Sequence, residues 1–242
     1  MTPLLNIENL VFSWPSSNKP LLEIDSFVVN QGERVFLQGP SGSGKSTLLN
    51  LIGGVLSPQS GSIEVLGKDL TAMSPLTRDK FRGDHMGFIF QMFNLLPYFS
   101  AIENVTLPCE FSKRKLSNVQ SNAESLNAEA SRLLSELKLD PELLKQKNVT
   151  QLSVGQQQRV ATARALMGRP ELIIADEPTS ALDSNIRDSF IKLLFDECQQ
   201  ADTTLIFVSH DNVLGEQFDR VVSLKEINKA APSEQQEREI VL

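Results

Sequence analysis

Short apolar runs broken by turn residues set the rhythm of this chain. Residues 6–12 and 27–30 predict strands on either side of a turn-rich stretch, 15–20. Gln31-Gly32 predicts a tight turn, and residues 34–38 a buried strand bounded by turn residues on both sides. A glycine- and serine-rich loop follows. An apolar periodic run over 47–55 then suits a helix. Further strands are predicted at 61–67, 86–90, 172–175 and 205–209, and helices at 157–167 and 186–200. Strands alternating with helices argue for an α/β core with a mostly parallel sheet. Between 100 and 144 the chain reads mostly helical, as a lobe inserted into that core. Its middle, 112–131, is rich in Ser, Asn, Lys and Glu, which predicts a solvated helix or loop. From Lys225 onward the pattern is polar and mixed in charge, a short helix or frayed tail.

Composition narrows the classes. Apolar residues make up 40% and charged residues 22% of 242, ordinary globular values that exclude disordered, collagenous and disulfide-scaffold chains. With 23 basic and 30 acidic residues the net charge is −7, so a nucleic-acid partner is not expected. Two cysteines, Cys109 and Cys198, are too few for a disulfide framework or a four-thiolate zinc site. Both are expected as free thiols of a reducing compartment. No segment approaches the ~20 apolar residues of a membrane span. The N-terminus lacks a basic stretch before an apolar core. These features predict a soluble, cytosolic protein, held by a partner if it works at a membrane.

The glycine-rich loop carries the first chemistry. Gly39, Pro40, Ser41, Gly42, Ser43, Gly44, Lys45 and Ser46 fit G-x-x-x-x-G-K-[ST], between a predicted strand and a predicted helix. Glycines let successive backbone N–H groups point inward at phosphate oxygens, and the helix N-terminus adds its positive end. Lys45 is expected to reach the β- and γ-phosphates of ATP, and the Ser46 hydroxyl to ligate Mg²⁺, with Thr47 next in the cradle. Residues 172–177 then form an apolar strand ending in Asp176 and Glu177. Carboxylates at the C-terminal edge of a parallel sheet sit beside such a loop. Asp176 suits the Mg²⁺ shell, and Glu177 is placed to polarise the attacking water as general base.

The run Leu152-Ser153-Val154-Gly155-Gln156-Gln157-Gln158-Arg159 closely resembles the signature of ATP-binding-cassette (ABC) ATPases, and residues 5–224 resemble that family in motif order. The resemblance implies a P-loop core of ABC type, with an N-terminal antiparallel β subdomain and an inserted helical subdomain at 93–158. One cassette would then fill 1–242, with a polar tail at 225–242. It implies that Gln91 touches Mg²⁺ and the attacking water and links core to lobe. Ser153, Gly155 and Gln156 would meet the γ-phosphate of ATP bound to a second subunit. Asp183, in Ser180-Ala-Leu-Asp183, would cross the dimer interface. His210 would contact the γ-phosphate, and Trp14 would stack on adenine, with Phe12 the nearby alternative. Hydrolysis would require a head-to-tail homodimer in the ATP-bound state. The family's usual glycine is replaced by Val154, whose branched side chain restricts the backbone and must point away from phosphate. His85 has no such motif around it and is expected to be an ordinary surface or packing residue.

Residues 90–97 and 100–105 resemble the subgroup of lipoprotein-releasing, macrolide-export and cell-division cassettes. That implies an integral membrane permease as partner, export or mechanotransmission, and a peripheral place on the cytoplasmic face of the plasma (inner) membrane. An importer ATPase shares much of the pattern, and a soluble cassette acting on nucleic acid or ribosomes is the more distant alternative. The apolar residues 92–98 are the expected docking segment, burial within the lobe being the competing reading.

Overall fold

The computed structural model describes residues 2–17, 19–144, 148–180, 182 and 184–230. The chain opens with β1 (Pro3–Phe12), β2 (Leu22–Asn30) and β3 (Arg34–Gln38), then α1 (Lys45–Ile52). Next come β4 (Ser60–Val65), β5 (Lys68–Asp69), α2 (Pro75–His85) and β6 (Met86–Ile89). The helices α3 (Ala101–Phe111), α4 (Lys113–Asn122), α5 (Leu126–Glu136) and α6 (Pro141–Leu144) follow. Then come α7 (Val154–Leu166), β7 (Leu172–Asp176), α8 (Ser184–Gln200), β8 (Thr204–Val208), β9 (Arg220–Ser223) and α9 (Leu224–Ile227).

Two sheets organise the fold: an antiparallel one in the order β2-β1-β4-β5 and a parallel one in the order β6-β7-β8-β3-β9. The residues of β8 are all buried, as a central parallel strand covered on both faces requires. Alternation along the parallel strands divides the interior in two. Phe36, Ile173, Leu205 and Phe207 face a core shared with α3, α5, α7 and α8. Val35, Leu37, Ile174, Ile206 and Val208 face a second core shared with α1 and the antiparallel sheet. The inserted helices thus pack on one face of the parallel sheet, and the antiparallel sheet lies against the other.

Three places differ from the pattern-based expectation. Residues 112–131 are helical and solvated on one side, as expected, but not on the other: α4 and α5 bury Lys115, Val119 and Ala130, and Leu116 and Leu126 pack against the same core. The Lys115 ammonium donates to Met86 O at 2.8 Å, so a charged residue there marks a buried junction. Burial lowers its pKa to about 8. The helix α2 and the strand β9 have no counterpart in the pattern. A legible cap marks α2, since Ser74 accepts from Thr77 N and Pro75 opens the helix. The segment after β9 begins inside the fold, with Leu224 and Asn228 buried; residues 231–242 lie outside the described part. Cys109 and Cys198 are both buried free thiols, pushed up to about 11 and about 12 by desolvation. His85 packs its ring 4.5 Å from that of Phe81, with Nδ1 3.2 Å from Glu171.

β6 and α7 approach closely at Gly87. A Cβ on Gly87 of β6 would stand 2.2 Å from Ala165 O of α7, where a side chain cannot fit. Gly87→Ala is expected to destabilise the fold by about 1–3 kcal/mol in urea unfolding. Gly83→Ala, in α2 with open space around the new methyl, is expected to be neutral or to stabilise by up to ~1 kcal/mol. Equal midpoints for the two variants would contradict this packing.

Candidate nucleotide site

Parallel registry brings the candidate residues to one edge. Leu37 and Asp176 both sit opposite Val208, and Ala175 sits opposite Ile89. The loop after β3, the carboxylates ending β7, His210 after β8 and Gln91 after β6 therefore emerge together at the C-terminal edge, where open α/β sheets place ligands. A cleft of about 500 Å³ is lined by Trp14, Leu21, Ser41, Gly42, Gly44, Lys45, Ser46, Thr47, Gln91, Asp176, Glu177 and His210.

The loop's glycines are required by its shape. Gly44 is the N-cap of α1 at φ 103°, and a Cβ there would lie 2.9 Å from Leu22 Cδ2. The Lys45 ammonium folds back across the loop, donating to Gly39 O at 2.7 Å and Pro40 O at 3.0 Å. Burial lowers its pKa, against the pull of Glu177 and Asp176. Gly39, Pro40 and Ser43 belong to the loop without lining the cleft.

Glu177 sits just past β7 at φ 49°, a left-handed conformation that is strained for a residue with a Cβ. Its backbone N–H donates to Val208 O at 3.0 Å, which ties the strained turn to β8. The carboxylate is buried. His210 N donates to Oε2 at 3.4 Å. His210 Nε2 lies 3.2 Å from Oε1 but out of hydrogen-bond alignment, and Oε1 is a buried oxygen without a hydrogen-bond partner. Desolvation raises the Glu177 pKa, with the neighbouring His210 opposing. Ser46, Gln91 and Asp176 offer only oxygen donors, which fits a hard cation such as Mg²⁺ sharing its shell with phosphates.

Trp14 reaches the cleft with its ring edge-on to Phe12, centroids 5.2 Å apart. Phe12 is buried and absent from the lining, so of the two aromatics Trp14 is the one the cleft offers. Ser153, Gly155 and Gln156 are not brought to this cleft. They open α7, where Ser153 Oγ accepts from Gln156 N at 3.3 Å and Gln156 Oε1 accepts from Ser153 N at 2.9 Å. Val154 is 52% exposed, pointing outward from the first turn. Asp183 lies outside the described residues. The far end of α7 holds the segment after Gln91, as Arg164 donates to Phe93 O at 2.7 Å and Asn94 O at 2.6 Å. The pattern missed Leu21, which walls the cleft beside Trp14; the signal available was an apolar pair directly after a turn-rich stretch.

A P-loop ATPase domain is the class that this fold and cleft define. The sequence pattern of the ABC transporter family matches residues 22–180, and the chain belongs to that family, as an ATPase subunit. It is 40% identical over 200 residues to the lipoprotein-releasing system ATP-binding protein LolD of Cytophaga hutchinsonii, covering 83% of this chain and 87% of that protein. It is 40% identical over 207 residues to the macrolide export ATP-binding/permease protein MacB of Rhodopirellula baltica. That match takes in 86% of this chain but only 29% of the relative's length. Among solved structures, the post-hydrolysis dimer of the cassette MJ0796, bound to ADP and Pi, is 34% identical with a TM-score of 0.80. The match covers 90% of this chain and 93% of that one.

Burial sets a pH test for Glu177. A carboxyl whose folded pKa is raised costs stability where it is ionised, above that pKa, and the cost fades as pH falls through the carboxylate range. Glu177→Gln is expected to melt above wild type at pH 8 and to lose that advantage toward pH 4. An advantage that grows as pH falls would contradict a desolvated carboxylate.

Proposed function

We propose that this ATPase subunit works as one half of a head-to-tail homodimer that closes on ATP and drives an integral membrane permease of the export or mechanotransmission type. The observation that carries the reading is the division of its motifs: Lys45, Ser46, Gln91, Asp176, Glu177 and His210 share one cleft, while Ser153, Gly155 and Gln156 stand outside it. A second copy's helix N-terminus would bring those donors to the γ-phosphate. Ser153 accepts a hydrogen bond within its own chain, so its hydroxyl proton remains free to donate. Asp183 would lie on the shared interface.

Each residue then has a chemical task. Loop N–H groups and Lys45 hold the phosphates, and Trp14 stacks on the adenine. Mg²⁺, held by Ser46 and Asp176 with Gln91 beside them, would neutralise phosphate charge. Glu177 orients and deprotonates water through the oxygen that has no internal partner. His210 bonds the γ-phosphate and steadies Glu177.

The segment after Gln91 supports docking of the permease. Met92 and Tyr98 are 81% and 90% exposed, whereas Leu95 packs inward and Phe93 is half-buried. An exposed apolar edge beside Gln91, clamped to α7 by Arg164, can pass a partner's movement to both half-sites. No helix among the described residues is long and apolar enough to cross a membrane. The proposed place is therefore peripheral, on the cytoplasmic face of the inner membrane, through the permease. Relatives named for lipoprotein release and macrolide export support an export-type partner.

Hydrolysis by the purified protein is expected to require a divalent cation and to fall by about 10²–10⁴ in Glu177→Gln, with ATP binding retained. A Met92→Ser/Tyr98→Ser variant should keep basal hydrolysis and lose stimulation by the permease. Hydrolysis by Glu177→Gln within tenfold of wild type, or unchanged permease stimulation in the double variant, would overturn the corresponding assignment.

A further inference from the structure

The segment after β9 brackets the phosphate loop from behind. Leu224, fully buried, places its Cβ 3.5 Å from where a Cβ on Gly39 would stand, against the first residue of the loop. At the other end Gly44 is crowded by Leu22 and Leu21, whose Cδ2 and Cγ would lie 2.9 and 3.4 Å from an added Cβ. Those two leucines are held in turn by Asn228. Its Nδ2 donates to Leu21 O at 2.9 Å, and its Oδ1 accepts from Glu23 N at 2.8 Å and Ala230 N at 3.1 Å. Lys229 N donates to Glu23 O at 2.8 Å, and Lys229 Nζ pairs with Asp25. Leu21 N donates to Phe12 O at 2.8 Å, and the Phe12 ring supports Trp14. The buried Asn228 amide, with Lys229 beside it, therefore ties down the start of β2, whose Leu21 lines the cleft and whose Leu22 fills the space a side chain on Gly44 would need.

We propose that Asn228 is a positioning residue for nucleotide binding, acting through Leu21 and Leu22 on the phosphate loop and through Phe12 on Trp14. The proposal rests on the reading of the cleft as the nucleotide site. Residues 21–23 follow a turn-rich stretch and begin an edge strand, so their outward backbone groups have no neighbouring strand. Asn228 supplies both a donor and an acceptor to that edge, from the two separate atoms of its amide. Its role is in affinity, because it touches neither the carboxylates nor Gln91.

Trp14 is the sole tryptophan, so its fluorescence reports on this wall alone. ADP is titrated against wild type, Asn228→Ala and Asn228→Asp, with equilibrium dialysis as a second measure of Kd. Asn228→Asp keeps the acceptor oxygen and loses the bond to Leu21 O, so it tests that link even if the alanine variant folds poorly. Asn228→Asp is expected to weaken ADP binding about five- to tenfold, the effect of one lost buried hydrogen bond, and Asn228→Ala, which loses all three bonds, at least as much, with kcat at saturating ATP within about twofold of wild type in both. Thr203→Val is the control for plain destabilisation. It removes a buried hydroxyl bonded to Pro170 O at 2.7 Å, at the opposite edge of the sheet, and should leave Kd unchanged. Wild-type Kd in both Asn228 variants overturns the proposal, as does equal weakening in Thr203→Val at a matched loss of Tm. A wild-type protein that binds no ADP in dialysis overturns the nucleotide-site reading itself.

Discussion

Everything in the cleft depends on the registry of one strand. β8 pairs with β7 on one side and β3 on the other, and Val208 stands level with both Asp176 and Leu37. The strand interiors alternate strictly between two cores, so a slip of one residue would turn each buried side chain to the wrong face. Packing on both faces thus fixes where the lysine of the loop and the carboxylates emerge. Their proximity then sets the electrostatics. Burial weakens the charge of Lys45 and of Glu177, and each charge favours the other. The buried carboxylate oxygen without a partner and the lysine turned onto loop carbonyls are the groups that the proposed function assigns to a water and a bound polyanion.

The second organising feature is α7. Its first turn carries Ser153 and Gln156 in a reciprocal cap, and its last turn packs against Gly87 without room for a methyl. Arg164, close to that contact, holds the segment following Gln91. One helix therefore joins the motif proposed for a second copy's ATP to the loop that enters this copy's cleft. Asn104 stiffens the same loop, buried and bonded to both N–H and C=O of Leu96. A partner pressing on Met92 or Tyr98 would act on a segment secured at both ends.

Legibility in the sequence followed the physics of each signal. The parallel core was readable because its strands are short apolar runs, and the loop because its glycines, lysine and serine have fixed spacing. The inserted lobe was readable as helical, but its polar middle misled. Lys115 is buried because its long stem reaches the carbonyl of Met86, and composition carries no sign of a single long-range bond. β9 escaped because it is short and half-exposed, and α2 because its weak apolar stripe hid a clear Ser-Pro cap. Asn228 carried no signal, since its bond to Leu21 O joins positions 207 residues apart, and Leu21 showed only as part of an apolar pair after a turn-rich stretch.

On the proposed reading, one chain holds two incomplete halves of an ATP site. The most direct test is the mass and nucleotide content of Glu177→Gln by sedimentation with saturating ATP, alone and with Ser153→Arg added. A dimer holding two ATP is expected in the first protein and an ATP-bound monomer in the second. An ATP-saturated Glu177→Gln protein that stays monomeric, or a dimer indifferent to Ser153→Arg, would contradict it.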